Sequence, residues 1–220
     1  MAETVAERFA RWRLHELLVR HAGLRVAPSR GAAVKLVGEL PFRVTGPDGM
    51  TLEDCYEVEL QIPPDFPRGA PTARETGGRI APTFHKLEGG FLCLGAPTEL
   101  RIQLVTSPTL LTFVERIVIP YLFGHTYFQT HNVMPFDELA HGNKGLLQHF
   151  ATLFGAPSLD AAREFVRAAS TRRRVANKLA CPCGSHRRLG RCHNRRVNRL
   201  RDLLGRSWFR DELLAIESKT

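Results

Sequence analysis

The sequence contains no apolar run that approaches the roughly 18 residues needed for a membrane-spanning helix. Its opening residues, Met1-Ala-Glu-Thr-Val-Ala-Glu-Arg8, lack the apolar core of a secretory signal peptide. These two absences lead us to expect a soluble, cytoplasmic protein without a membrane partner. With 220 residues, 43% of them hydrophobic, the chain is long enough for one sizeable domain and a small appendage.

The five cysteines do not indicate a disulfide framework, because their number is odd and no secretion signal precedes them. Cys55 begins a predicted strand, and we interpret it as structural. Cys181, Cys183 and Cys192 are clustered, and His193 follows directly, which indicates a metal site.

Acidic residues are scarce in the last quarter of the chain. Residues 163–220 contain 16 Lys or Arg and 5 Asp or Glu, a net charge of +11, whereas the remaining residues carry −2. A basic tail of this kind can bind nucleic acid, an acidic partner or an anionic surface. A solvated, arginine-rich helix face explains the charge equally well, so both interpretations stay open.

The first third of the chain predicts an α+β fold. Residues 4–21 carry apolar side chains at helical spacing, which favours one amphipathic helix. Residues 36–44 and 56–62 are rich in strand formers, and the second stretch alternates almost strictly. The turn signal Gly46-Pro-Asp-Gly49 separates them. We expect an antiparallel β-meander, extended by a short strand at residues 72–75, on which the helix packs.

Helices are predicted in the remainder. Ser107 and Pro108 suit the N-cap and first position of a helix that Pro120 interrupts, whereas residues 96–101 look like a loop. Further helices are predicted over residues 144–155, from Ser158 to about residue 179, and beyond residue 197 with a break at Gly205.

Cys93 is the candidate nucleophile of the chain. It follows the pair Gly89-Gly90 and lies eight residues after His85. Glycines let the backbone turn sharply, so the thiol can lie on a loop or ledge. There a modest fall in its pKa from about 8.5 makes it reactive. A cysteine flanked by leucines is also often an inert core residue, and this alternative stays open.

The order of these features resembles the ubiquitin-conjugating enzyme (UBC) fold. Members of that family have an N-terminal helix, an antiparallel meander, a proline-rich segment, a His-Pro-Asn motif and then a cysteine in a Gly-x-x-Cys-Leu-like stretch. The counterparts here are the predicted helix and strands, residues 65–71, His85 and Gly90-Phe-Leu-Cys93-Leu94. The resemblance covers residues 4–150. It is to divergent bacterial members, often encoded beside ubiquitin-activating-like and JAB-peptidase-like proteins, a setting that implies antiviral defence.

This resemblance implies that Cys93 accepts a ubiquitin-like modifier as a thioester from a ubiquitin-activating-like enzyme and passes it to an amine on a target protein. A thioester is a better acyl donor than an ester or amide, and the oxyanion formed on transfer needs a preorganised donor. His85 matches the motif histidine, but Lys86 replaces the proline and Leu87 replaces the asparagine that supports transfer. Another donor is therefore expected.

His141 is a candidate for that role, because it and Asn143 lie in a glycine-flanked loop that could approach the cysteine. A histidine in a surface loop is the competing interpretation. His125 and His131 are further candidates, although their aromatic neighbours also favour packing. A cysteine-histidine hydrolase would use Cys93 as well, but its nucleophile usually caps a helix, and no helix pattern follows this cysteine.

The run Cys181-Pro-Cys-Gly-Ser-His-Arg-Arg-Leu-Gly-Arg-Cys-His193 resembles the SEC-C zinc motif, with His186 where the motif has glycine. Cys181, Cys183, Cys192 and His193 would form a complete tetrahedral shell for Zn²⁺ with no open position, so the predicted site is structural. It can supply on the order of 10 kcal/mol of folding free energy.

The sequence thus predicts three segments. They are a UBC-like conjugating domain at residues 1–157, a connecting helix at 158–179, and a zinc module with a basic C-terminal helix at 180–220. Two functions stay open. One is a conjugating acyltransferase; the other is a non-catalytic scaffold whose zinc module binds a protein partner or nucleic acid.

Overall fold

The computed structural model describes residues 4–29, 31–135 and 142–218. The chain divides into two compact units, Met1–Glu138 and Leu139–Thr220. The secondary structure is α+β, as predicted, with one antiparallel sheet of four strands in the described residues. None of the helices in those residues combines the length and apolarity required to cross a bilayer.

The sheet is a meander of strands in chain order. β1 (Leu24–Ala27), β2 (Val34–Thr45), β3 (Thr51–Ile62) and β4 (Thr72–Glu75) each pair antiparallel with the next strand. Alternation in β3 has the predicted consequence, because Tyr56, Val58, Leu60 and Ile62 are all at most 1% exposed. The turn predicted between β2 and β3 is present, and its Gly46 N–H donates to the carbonyl of Met50 at 2.7 Å. Only β1 lacked a sequence prediction.

The predicted helix over residues 4–21 is wrong as a single element. The chain instead forms α1 (Val5–Arg11) and α2 (Leu14–Arg20), separated at Arg13, whose φ is 54°. The break lets both Trp12 and Leu14 enter the core, where they are 0% and 4% exposed. A straight amphipathic helix would place residues two apart on different faces.

The helices after Cys93 also differ from the prediction. Residues 96–101, expected as a loop, contribute to helix α3 (Pro97–Thr106). Ser107 ends that helix, and Thr109 caps the next, with its Oγ1 accepting from the Thr112 N–H at 3.1 Å. The next helix runs through α4 (Leu110–Phe113), a π-helical turn (Val114–Val118) and α5 (Ile119–His131).

Pro120 therefore does not interrupt the helix. It lies in the first turn of α5, immediately after the π-helical turn. A proline lacks the N–H that an α-helix interior requires, and a π-type turn changes the local hydrogen-bond pattern where the proline enters. The helix continues with Leu122 and Phe123 buried in the core of the first unit.

The second unit is helical. It contains α6 (Gly142–Phe154), α7 (Leu159–Ser170), α8 (Arg173–Ala176), α9 (Asn194–Leu204) and α10 (Arg206–Glu217). Ser158 caps α7 as predicted, with its Oγ accepting from the Ala161 N–H at 3.1 Å, but α7 ends at Ser170 rather than near residue 179. Gly205 separates α9 from α10 as predicted.

Four fully buried phenylalanines form the aromatic core of this unit. Phe150 and Phe154 come from α6, Phe165 from α7 and Phe209 from α10. The Phe154 and Phe165 ring centroids are 5.3 Å apart, and those of Phe150 and Phe209 are 6.2 Å apart. These rings pack the consecutive helices α6 and α7 against α10.

Candidate functional site

The stretch before Cys93 is attached to the edge of the sheet. The Leu92 N–H donates to the carbonyl of Ala73 in β4 at 2.8 Å, and Phe91 forms an antiparallel bridge with Arg74. The Arg74 guanidinium lies 3.9 Å from the centre of the Phe91 ring, a cation–π contact. Cys93 thus follows directly after a short strand-like addition to β4, which fixes where its loop begins.

His85 and Cys93, the two predicted catalytic residues of the first unit, lie opposite each other. The Cys93 N–H donates to the His85 carbonyl at 2.8 Å, and Lys86 and Leu92 form an antiparallel bridge beside it. Cys93 is half-buried rather than sealed in the core. His85 has a φ of 37°, a left-handed conformation uncommon outside glycine, so the chain turns sharply beside the cysteine.

Tyr121 of α5 is hydrogen-bonded to the backbone of this turn. Its hydroxyl donates to the carbonyls of Phe84 at 3.1 Å and His85 at 3.2 Å, and its ring meets the Phe84 ring edge-on. Burial raises the pKa of Tyr121, so the phenol stays protonated. The His85 carbonyl therefore accepts hydrogen bonds from both Tyr121 and Cys93. No sequence pattern linked Tyr121 to the cysteine.

An ion pair between Glu75 and Lys86 stabilises the loop. The Glu75 side chain is fully buried and accepts from the N–H groups of Arg79 at 3.0 Å and Ile80 at 3.1 Å. Lys86 Nζ lies 3.8 Å from Glu75 Oε2 and donates to the Ile80 carbonyl at 2.6 Å. Lys86, which stands where the resembling family has proline, thus anchors the turn through its side chain.

His125 belongs to a buried polar network, and its ring also packs edge-on against Phe84 beside the cysteine loop, with 4.7 Å between the ring centroids. Its Nδ1 lies 2.7 Å from the Tyr56 hydroxyl, which lies 2.8 Å from Thr126 Oγ1. Thr126 donates to Asp54, which also accepts two hydrogen bonds from Arg79. Burial opposes ionisation of Asp54, but the hydrogen bonds of Arg79 and Thr126 prevail and hold its pKa at about 2.

Acidification is expected to destabilise the first unit through His125. Burial lowers the pKa of His125 below its usual 6.5, and the positive charge of Arg79 adds to this effect. The unfolded chain therefore binds a proton near pH 6.5 that the folded chain resists, so stability falls as pH falls below that value. This loss can be measured by chemical unfolding at pH 7.5 and 5.5 in a Trp208→Phe variant, in which the fluorescence of Trp12 reports unfolding of the first unit. The free energy of unfolding should be lower at pH 5.5.

The matched variant for this experiment is His125→Asn, which keeps a polar atom near the Tyr56 hydroxyl but cannot titrate. It should be less stable at pH 7.5 and should lose less stability on acidification than the parent. Because burial also lowers the pKa of His21, part of the pH dependence should remain. An unchanged pH dependence in the variant would contradict the assignment.

The remaining candidate residues are His141, Asn143 and His131. His141 lies outside the described residues. Asn143, in α6, donates from its amide Nδ2 to the Ile216 carbonyl at 3.1 Å and so satisfies the end of α10. The ring of His131 lies 4.4 Å from that of Tyr127, and its Nε2 lies 3.1 Å from the Met50 sulfur, which gives it a packing role.

The second site is a compact cluster of three thiols and one imidazole. The ligand atoms of Cys181, Cys183, Cys192 and His193 all lie within 4.8 Å of one another. Cys183 Sγ and Cys192 Sγ are 3.6 Å apart, and His193 Nδ1 lies 3.2 Å from Cys181 Sγ and 3.3 Å from Cys192 Sγ. All four predicted metal ligands are therefore brought together, close enough to hold a metal ion.

These separations, from 3.2 Å to at most 4.8 Å, are compatible with a zinc site. Zn–S bonds of about 2.3 Å and Zn–N bonds of about 2.0 Å give tetrahedral ligand separations between about 3.5 and 3.8 Å. Burial raises the pKa of Cys181 to about 11, whereas a hydrogen bond from Ser185 lowers the pKa of Cys183 to about 6. Since cysteine binds a metal as the thiolate, metal binding should release protons.

Local backbone geometry explains the spacing of the cluster. The Cys181 N–H donates to the Arg187 carbonyl at 2.8 Å, which folds the chain back toward Cys192. Gly184 has a φ of 76°, and a Cβ at Gly190 would lie 2.9 Å from the Asn177 carbonyl oxygen. His186 is exposed and has a φ of 56°, a conformation that glycine adopts more easily, so the histidine departs from the resembling motif without joining the cluster.

The surroundings of the cluster are positive and partly aromatic. Arg187 Nη2 lies 3.6 Å from Cys192 Sγ, and Ser185 Oγ lies 3.3 Å from the same sulfur. The His193 ring is 5.0 Å from that of Phe165, which connects the cluster to the aromatic core.

Comparison of the chain with protein-family models, with curated proteins and with solved structures found no match.

Proposed function

We propose that the protein is a conjugating acyltransferase of the ubiquitin-conjugating type, in which Cys93 carries a ubiquitin-like modifier as a thioester. The observation that carries this proposal is the half-buried Cys93, hydrogen-bonded back to His85 in a turn at the edge of an antiparallel meander. A thiol in that position can meet an acyl group presented by another protein. The resemblance of the motif order supplies the reaction class.

The chemistry consists of two acyl transfers. In the first, the Cys93 thiolate attacks the thioester carbonyl of the modifier held by a ubiquitin-activating-like enzyme, whose cysteine leaves as a thiolate. In the second, an amine of a target protein attacks the new thioester, Cys93 leaves as a thiolate, and the amine loses a proton. Both steps pass through an oxyanion that a hydrogen-bond donor must stabilise.

Residue 87 cannot provide that donor. Leu87 stands where the resembling family has asparagine, and its apolar side chain is 56% exposed. Asn143 donates one of its two amide N–H groups to the Ile216 carbonyl, which leaves the other free of that bond. His141 and Asn143 therefore remain the sequence candidates for the role in this proposal.

Within the same proposal, the Cys/His cluster is a structural zinc site resembling SEC-C. It offers four protein ligands, which is a complete shell, so a bound Zn²⁺ would have no open position for a substrate. Zinc would hold the segment around residues 181–193 in place, and Cys181, Cys183, Cys192 and His193 would supply its ligands. Recruitment of a protein partner is the role we assign to this module.

The test is to incubate the purified full-length chain with its activating enzyme, the modifier and ATP. We expect an adduct on non-reducing gels that disappears on treatment with thiol. The Cys55→Ala variant should form the same adduct, because Cys55 is exposed on β3 and does not belong to the Cys93 loop. A chain that forms no adduct would instead fit a non-catalytic scaffold.

Removing one hydroxyl should slow adduct formation. Tyr121→Phe keeps the ring that packs on Phe84 but loses the hydrogen bonds to the Phe84 and His85 carbonyls. Such a bond contributes about 0.5–1.5 kcal/mol, so we expect a two- to tenfold lower rate of adduct formation. The free energy of unfolding should fall by about 0.5–1.5 kcal/mol. If the turn positions Cys93, raising the modifier concentration should not restore the rate. Full restoration would contradict a positioning role.

A further inference from the structure

Basic residues precede, interrupt and follow the Cys/His cluster in sequence, with no Asp or Glu between residues 171 and 201. Residues 171–201, called here the basic segment, contain eleven Lys or Arg and no Asp or Glu. Folded proteins usually mix charges of both signs on such surfaces, and an unmixed run produces a strong local positive potential. Some of these charges form hydrogen bonds within the protein, and the others do not.

Three of the eleven have identifiable partners. Arg196 donates to the carbonyls of Leu153 at 2.7 Å and Thr152 at 3.3 Å, which satisfies the end of α6. Arg201 is buried and donates to the carbonyls of Ala168 and Ala169 at the end of α7. Cations at helix C-termini are favourable because the carbonyl dipoles point toward them. Arg187 contacts the Cys192 sulfur.

The other eight basic residues are exposed and have no hydrogen bond or ion pair from their side chains within residues 4–29, 31–135 and 142–218. They are Arg172, Arg173, Arg174, Lys178, Arg188, Arg191, Arg195 and Arg199. The contrast with α7 is clear, since there Arg167 pairs with Glu217 at 2.8 Å and Arg163 lies 3.6 Å from Asp160. The basic segment thus holds eight exposed cations that pair with no carboxylate among the described residues.

The backbone gathers these charges into one small module. The Leu189 N–H donates to the Leu179 carbonyl at 2.9 Å, and the Gly190 N–H donates to the Asn177 carbonyl at 3.0 Å. These bonds join the end of α8 to the turn that precedes α9. On α9, Arg195 and Arg199 are four residues apart and therefore share one side of the helix.

We infer that the basic segment binds the phosphate backbone of double-stranded nucleic acid. Regularly spaced phosphates are the anions that several unpaired guanidinium groups on one rigid module match best. The segment contains no Phe, Tyr or Trp, so it offers no aromatic platform for the bases of a single strand. The inferred binding is independent of Cys93 and therefore goes beyond the proposed acyl transfer.

Fluorescence anisotropy with a labelled DNA duplex of about 25 base pairs of mixed sequence provides the test. The full-length, zinc-loaded protein should bind it, and the affinity should fall steeply between about 50 and 200 mM salt. Arg195→Ala with Arg199→Ala removes two exposed charges while keeping good helix formers in α9. Because each phosphate contact adds about 0.9 to the slope of log affinity against log salt, the double variant should reduce that slope by about 2.

The matched control removes the same charge from the same unit. Arg163→Ala with Arg167→Ala changes two arginines of α7 that face carboxylates, and it should leave the slope unchanged. Equal effects of the two double variants would overturn the inference, because net charge alone would then explain binding. So would a failure to bind the duplex at about 50 mM salt, stronger binding to a single strand of equal length, or binding only to anionic vesicles or polyglutamate.

Discussion

Replacing Cys192 by alanine is expected to abolish zinc binding and to unfold the segment around the cluster. The sulfur of Cys192 lies 3.6 Å from that of Cys183 and 3.3 Å from His193 Nδ1, so its loss breaks a four-ligand shell. Structural zinc contributes on the order of 10 kcal/mol to folding of such modules, far more than one half-buried side chain. Zinc content, measured by atomic emission, should fall from about one ion per chain to none.

The damage should be local. The backbone hydrogen bonds around residues 177–193 depend on the turns that the cluster closes, and His193 connects the cluster to Phe165. The four phenylalanines of the second unit, however, also pack on one another without any ligand between them. Hydrogen exchange in Cys192→Ala should therefore accelerate over residues 177–193 and much less in β2 and β3.

Cys55→Ala is the control for this experiment, because it removes an exposed thiol outside the cluster. It should retain zinc and normal exchange. A chelator applied to the unchanged protein should reproduce the pattern of Cys192→Ala. Normal exchange over residues 177–193 after complete zinc removal would show that the cluster does not stabilise the module.

The Cys/His cluster could be predicted because the pattern that specifies it is local in the sequence. Four ligands within 13 residues, with glycines at the turns, leave few ways to arrange the chain other than around one point. Strands β2 and β3 could be predicted for a similar reason, since alternation in β3 is read directly from consecutive residues. Burial of Tyr56, Val58 and Leu60 follows from that pattern.

The break at Arg13 and the start of α3 were missed for different reasons. Nothing in the apolar spacing of residues 4–21 marks the left-handed residue, because the tertiary demand to bury Trp12 overrides the helical pattern. For α3 the signals were present but weak. Pro97 occupies the first turn and Glu99 is acidic there, yet Ala96 offers no side-chain cap.

The supports of the cysteine loop could not be predicted at all. Tyr121 meets the His85 carbonyl from 36 residues away, and Glu75 meets Lys86 across the end of β4. Contacts of this kind depend on how a helix and a sheet edge come together, and one sequence carries no periodic signal for them. They matter because they fix the turn that presents Cys93.

Replacing Cys93 should have the largest effect on the proposed activity. In Cys93→Ala no sulfur is present to take the acyl group, so the thiol-sensitive adduct should disappear completely. The side chain is half-buried and small, so this change should cost little stability, and thermal unfolding should shift by only a few degrees. A normal adduct in this variant would place the acceptor elsewhere and defeat the proposal.

Cys93→Ser distinguishes a chemical role of the sulfur from a structural one. The hydroxyl is similar in size and keeps the backbone bond to the His85 carbonyl, so the loop should stay in place. Its product with the modifier would be an oxygen ester, which is less reactive toward amines and thiols than a thioester. We therefore expect a slower-forming adduct that resists thiol but is cleaved by alkali, with target modification lost. A well-folded Cys93→Ser protein that forms no adduct would also agree with a requirement for the Cys93 sulfur. A thiol-sensitive adduct formed by Cys93→Ser would contradict that requirement. The sensitivity of that adduct, rather than its amount, is thus the measurement that ties the reaction to the Cys93 sulfur.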